Sequence, residues 1–211
     1  MTIPTETLTL ILMLPVVATV IAFLRQVVGI RAFGIYTPLI ITFAFLATGL
    51  KFGLLIFVIV LLTGTLARVL VRRLHLLYLP RMAVVLSIVA LVIYGLFWLA
   101  ASYGGSQELV SLSIFPILII IILVEKFVSA QIDKGTQVAI RLSIETLILS
   151  VIAFYIASWP WLQQILINQP GWIVLTIIIN VLMGSWSGLR LVEYFKYREI
   201  IRHDSSRHHQ E

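Results

Sequence analysis

The chain has no cysteine, and only nine of its 211 residues are acidic. Without thiols there are no disulfides, thiolate metal sites or cysteine nucleophiles. The only aspartates are Asp133 and Asp204, so there is no carboxylate cluster for metal-assisted chemistry, and neither an H-E-x-x-H helix nor a G-x-S-x-G elbow occurs. His75 stands alone, and His203, His208 and His209 fall in a polar tail, so no metal site and no cofactor is expected. Charge is scarce as well. Charged residues make up 11% of the chain against 61% hydrophobic, with a mean hydropathy of +1.09. A soluble domain of this size needs more charge to cover its surface, which leaves an integral membrane protein. The opening "MTIPTETLTL" lacks the basic start of a cleaved signal, so the first apolar helix is expected to be retained.

What is present is a series of long apolar runs. A hydrocarbon core about 30 Å thick needs roughly 20 apolar residues per helix. Seven runs qualify, near 7–24, 33–50, 52–71, 82–102, 110–129, 138–158 and 171–190. The expected fold is an all-α bundle of seven transmembrane helices over residues 1–195, followed by a polar, basic tail over 196–211. Pro15, Pro38 and Pro116 should kink or start the spans they occupy.

All the Lys and Arg residues except Lys51 fall in or beside the odd-numbered connections and the tail. By the positive-inside rule those segments are cytoplasmic and the N-terminus is outside. Trp98, Tyr103, Trp159, Trp161 and Trp172 gather at the opposite boundary, as an interfacial belt should. The basic balance therefore describes a rim facing anionic headgroups and the bilayer itself as partner. No basic and aromatic platform remains outside the spans, so nucleic acid is not expected.

Ionisable groups within spans need partners. Arg141 and Glu145 stand four apart on the sixth span, and Arg190 and Glu193 three apart on the seventh, so each pair can meet on one helix face. Glu125 has no local partner, because Lys126 points about 100° away from it around the helix. A network of Arg81, Glu125, Arg190 and Glu193 at the inner mouth of the bundle is expected. Asn180, near the middle of the last span, should hydrogen-bond another helix, and Gly184 with Gly188 should mark close packing inside the bundle. A retinal-type protein is excluded, since the last span contains no lysine.

The first connection, "FLRQVVGIRAFGIYTPLI" (residues 23–40), holds Arg25, Gln26, Gly29, Ile30, Arg31, Phe33, Gly34 and Pro38. Pro80 and Arg81 open the fourth span. Pro116 precedes an aliphatic run ending in Glu125 and Lys126, and Gly188, Arg190 and Glu193 close the last span. Together these segments resemble the bacterial family of seven transmembrane helices usually fused to an inactive transglutaminase domain. Lys126 stands where that family more often carries arginine. The family is similar to a small membrane subunit of poly-gamma-glutamate synthesis. The resemblance implies residence in the bacterial cytoplasmic (inner) membrane, with a cytoplasmic ATP-grasp amide ligase as partner. It also implies a periplasmic transglutaminase-like or aspartic-protease-like partner. Only residues 1–6 precede the first run, so such a domain is expected as a separate polypeptide or not at all.

The function expected from these features is a non-enzymatic membrane scaffold, coupling or export subunit. Arg25, Gln26, Arg31, Arg72 and Arg73, with Arg81, would form the surface on which a soluble partner docks. The competing expectation is a small-solute transporter subunit of the vitamin-uptake, substrate-binding type, which needs a polar cavity open to the outside. Topology is directly testable, because the chain carries no native cysteine. Cysteine at Gly105 or Gln163 should react with an impermeant thiol reagent in intact cells, and cysteine at Ser205 only after lysis; labelling of Ser205 in intact cells inverts the topology.

Overall fold

The computed structural model describes residues 5–74, 77–102 and 114–185, and the regular structure there is helical throughout. The helices are α1 (Thr5–Phe23), α2 (Tyr36–Thr48), α3 (Leu50–Val71), α4 (Tyr78–Ser102), α5 (Ile114–Asp133), α6 (Thr136–Ala157), α7 (Pro160–Asn168) and α8 (Ile173–Gly184). Five segments, Leu8–Val28 and α3 to α6, are long and apolar enough to cross a membrane unaided. Pro160–Asn168 and Pro170–Gly184 form a pair bent by 105°, and α2 has only 13 residues. At 1.5 Å per residue α2 is about 20 Å long, well short of a hydrocarbon core.

Three boundaries differ from the sequence expectation. The second and third spans were expected to meet around Lys51, but a single residue, Gly49 (φ +75°, ψ 148°), joins α2 to α3, and Lys51 lies in the first turn of α3. That backbone conformation suits a residue without a Cβ, which is why the turn can be so short. The stretch between the sixth and seventh expected spans, "SWPWLQQILINQPGW", contains α7, with Pro160 at its first position, where the missing N–H costs nothing. Leu166 of α7 is buried and the helix packs against α1. The fifth helix runs on to Asp133 instead of ending near 129, which places Glu125 about two turns from the helix end rather than one.

Cross-helix hydrogen bonds fix the relative directions. Thr19 and Gln26 of the α1 segment bond to Asn180 and Met183 of α8, so these two run parallel. Phe33 meets Thr146 and Pro38 meets Ser150, which makes α2 parallel to α6. Arg68, near the end of α3, reaches Gln131 near the end of α5 and Thr136 at the start of α6. Tyr78, at the start of α4, bonds to Ser129 near the end of α5. Up-and-down alternation follows. Arg25, Arg31, Arg68, Arg72, Arg73, Arg81, Lys134 and Arg141 all share one end of the bundle, called here the basic end.

The main core lies between α2, α3, α4 and α5, around Phe45, Ile56, Val60, Val85, Val89, Ile117, Ile120 and Val124. Phe45 and Phe57 meet edge to face, with centroids 6.4 Å apart. Val17 and Ile21 of α1 pack with Ala153 and Ala157 of α6 in a second cluster. In lipid, apolar transfer gives helices little reason to associate, so close packing must hold them. Gly64 is central to that packing, since a Cβ there would collide with the Val124 side chain on α5. Gly64→Val should therefore cost at least about 1–3 kcal/mol, seen as a lowered unfolding temperature in detergent. Gly95→Val, where a Cβ meets nothing within 4 Å, should leave that temperature close to native.

Candidate docking surface at the basic end

Residues 24–35 are shaped by two glycines and held by two helices. The α1 segment ends in a π-turn, Leu24–Val28, and Gly29 follows in the left-handed conformation (φ 95°). The N–H groups of Gly29 and Ile30 both donate to the Leu24 carbonyl, at 3.1 and 3.2 Å. Gly34 (φ 70°) then turns the chain into α2, where Pro38 lies in the first turn.

Two backbone N–H groups of this connection have acceptors on α6. The Arg31 N–H donates to Glu145 Oε2 at 2.9 Å, and the Phe33 N–H to Thr146 Oγ1 at 3.2 Å. Below them, the Pro38 carbonyl accepts from Thr42 Oγ1 at 2.8 Å and from Ser150 Oγ at 3.2 Å, which fastens α2 to α6. On the other flank Gln26 Nε2 donates to the Met183 carbonyl of α8 at 2.5 Å. The connection is thus anchored from both sides while Arg31 stays exposed. Arg31, Gln137, Arg141 and Glu145, with Val138 and Leu142, line a cavity of about 420 Å³ beneath it.

This geometry revises one expected pair. Glu145 was expected to face Arg141; instead, half-buried under the connection, it accepts the Arg31 backbone N–H, while Arg141 remains exposed and shares the cavity with it. A backbone N–H left without an acceptor near the bilayer costs more than a loose surface ion pair returns.

The expected docking residues divide. Arg31, Arg72 and Arg73 are exposed, Arg25 is half-buried, and Gln26 is tied to α8. Arg81, half-buried in the first turn of α4, stands within electrostatic reach of Arg68. Glu125 is exposed on α5, without a hydrogen-bond or ion-pair partner among the described residues. Arg190 and Glu193, the other expected members of its network, lie outside the described residues, as does Gly188. A Cβ at Gly184 would meet nothing within 4 Å among the described residues, so the expected close packing is not seen there.

Asn180 behaves as expected, donating to Thr19 Oγ1 at 2.7 Å across the α1–α8 interface. A polar centre was missed. Gln131, 1% exposed, accepts from Arg68 Nη1 at 3.1 Å through Oε1 and from Arg68 Nη2 at 3.0 Å through its backbone carbonyl. Its Nε2 donates to Thr65 Oγ1 at 3.0 Å. The fifth span was expected to end at 129, which put Gln131 in a loop. The three-residue spacing of Thr65 and Arg68 on one helix face was the available signal.

A family model described as 7 transmembrane helices usually fused to an inactive transglutaminase matches residues 3–201. The chain belongs to that family. The multi-pass membrane character read from its composition is that of the family, and the apolar helices described above agree with it. No curated protein and no solved structure matches the chain.

The anchoring of the connection can be measured. Thr146→Val removes the acceptor for the Phe33 N–H while keeping the side chain's shape, a loss of about 1 kcal/mol. Amide hydrogen exchange across residues 29–35 should then speed up roughly fivefold, and more when Glu145→Ala is added. Unchanged exchange would mean that these two bonds do not hold the segment.

Proposed function

We propose that this member of the family is a non-enzymatic membrane scaffold or coupling subunit whose basic end docks a soluble cytoplasmic partner. The observation that carries the proposal is the anchored first connection. Arg31 and Phe33 donate their backbone N–H groups to Glu145 and Thr146, so the Arg31 side chain is displayed from a fixed backbone. The two bonds satisfy backbone donors near the bilayer and at the same time preorganise the surface, which gains affinity because little ordering remains to be done on binding.

Charge supports the same reading. Basic residues crowd one end of the bundle, and the positive-inside bias makes that end cytoplasmic, with the N-terminus outside. The family's usual fusion partner is described as an inactive transglutaminase, in keeping with a role in assembly rather than turnover. The proposed partner is a cytoplasmic ATP-grasp amide ligase, in the inner membrane of a bacterium. A separate transglutaminase-like or aspartic-protease-like protein would act on the periplasmic side.

Arg31→Gln combined with Arg141→Gln should leave insertion and helicity unchanged. Capture of a co-expressed ATP-grasp amide ligase by the purified protein should weaken roughly three- to tenfold, most clearly at low salt. Normal capture together with impaired insertion would make these arginines topology signals and nothing more.

A further inference from the structure

An apolar groove of about 460 Å³ runs along the outside of the bundle between α3 and α6. Its walls are Leu62, Leu66 and Val69 on one side and Ile140 and Ile144 on the other, with Phe127 of α5 as the floor. Two hydroxyls, of Thr65 and Ser143, also line it, but both are engaged within the protein. Thr65 Oγ1 donates to the Leu61 carbonyl and accepts from Gln131, and Ser143 Oγ donates to the Ala139 carbonyl. The groove therefore favours hydrocarbon over a polar solute.

Its length and its end narrow the choice of occupant. The α3 wall extends from Val58 to Val69, about 17 Å at 1.5 Å per residue, close to half of a hydrocarbon core about 30 Å thick. That is the reach of one acyl chain in one leaflet. At the basic end the same helix face continues into Arg72 and Arg73, three and four residues beyond Val69 and both exposed. Arg68 sits beside them. Its guanidinium is oriented by three hydrogen bonds, all to neutral oxygens of Gln131 and Thr136. Arg72 and Arg81 lie close enough to Arg68 to repel it. A phosphate at this position would relieve that repulsion and accept from guanidinium donors in a geometry they match well.

We infer that the α3–α6 groove is a binding site for one anionic phospholipid, its acyl chain along Phe127 and its phosphate at Arg72 with Arg68 behind. The inference goes beyond the docking proposal and does not depend on it, since it is tested with lipid alone. The full-length protein is reconstituted in vesicles of equimolar phosphatidylglycerol and phosphatidylcholine with identical dioleoyl chains and extracted in detergent. The lipid it retains is then weighed by native mass spectrometry. Native protein should retain phosphatidylglycerol over phosphatidylcholine by roughly thirtyfold, the order that two arginines at a membrane surface give.

Arg72→Gln with Arg73→Gln should lower the ratio to about fivefold or less, the preference that Arg68 alone leaves, while a lipid is still retained. Ile144→Trp, which fills the groove from its lipid-facing wall, should remove most of both lipids. Leu91→Trp, equally lipid-facing but on α4 away from the groove, should behave as native. Equal retention of the two lipids by native protein overturns the site. So does native-like retention by an Ile144→Trp protein of unchanged helicity, since the arginines would then be collecting headgroups without the groove.

Discussion

Inside a bilayer no water is available to pair a stray N–H or C=O, and the rest of this structure follows from that constraint. Two breaks among the described residues come with devices that satisfy it. At the α1–α2 connection the device is a π-turn closed on the Leu24 carbonyl, followed by two N–H groups received by Glu145 and Thr146. At Gly49 the break is a single residue. After α6, Ser158 Oγ and the Ser158 N–H both return to the Phe154 carbonyl, and Gln163 Nε2 donates to the Ala157 carbonyl at 2.7 Å. Hydroxyls repeat the pattern within helices, where Thr19, Thr42, Thr48, Ser143 and Ser150 each donate four residues back.

The same constraint explains why the polar links between helices are mostly neutral. Asn180 with Thr19, Gln26 with the Met183 carbonyl and Gln131 with Thr65 each pair two polar groups without burying a charge. Arg68 is the charged member of this set, and Gln131 and Thr136 orient it without cancelling it. Positive charge at the basic end is thereby left to act outward. Two surfaces can use it. One is the anchored connection, proposed to present Arg31 to a soluble partner; the other is the arginine cluster where the α3–α6 groove ends, inferred to hold a lipid phosphate.

The short α2 and the bent α7–α8 pair depart most from a regular bundle, and each shapes a surface. Because α2 starts at Tyr36, residues 29–35 rest on the side of α6 as ordered backbone instead of continuing the helix. The bend of 105° turns α7 back onto α1, where Leu166 is buried and the tryptophans remain exposed beside it. Trp159 and Trp161 lie with ring centroids 6.2 Å apart, and Trp172 Nε1 donates to Gln169 Oε1, an arrangement suited to a membrane boundary, where one side of an indole is apolar and the other wet.

The sequence by itself determined the class, the approximate spans and the segregation of charge. These are one-dimensional properties, fixed by the length of an apolar run against the bilayer and by where lysine and arginine interrupt it. It also placed Gly29 and Gly34 in the first connection and marked Asn180 as a cross-helix donor, because a lone amide in a span has few uses. Only the tertiary structure decided the partners. Glu145 lies four residues from an arginine yet turns to a backbone N–H 114 residues away, since the unmet donor under the connection is the more demanding neighbour. Gln131 reads as a loop residue until α5 is seen to run one turn further and bring it against Arg68. The groove is likewise a product of three helices packed at a given register, because no single helix carries both of its walls and its floor.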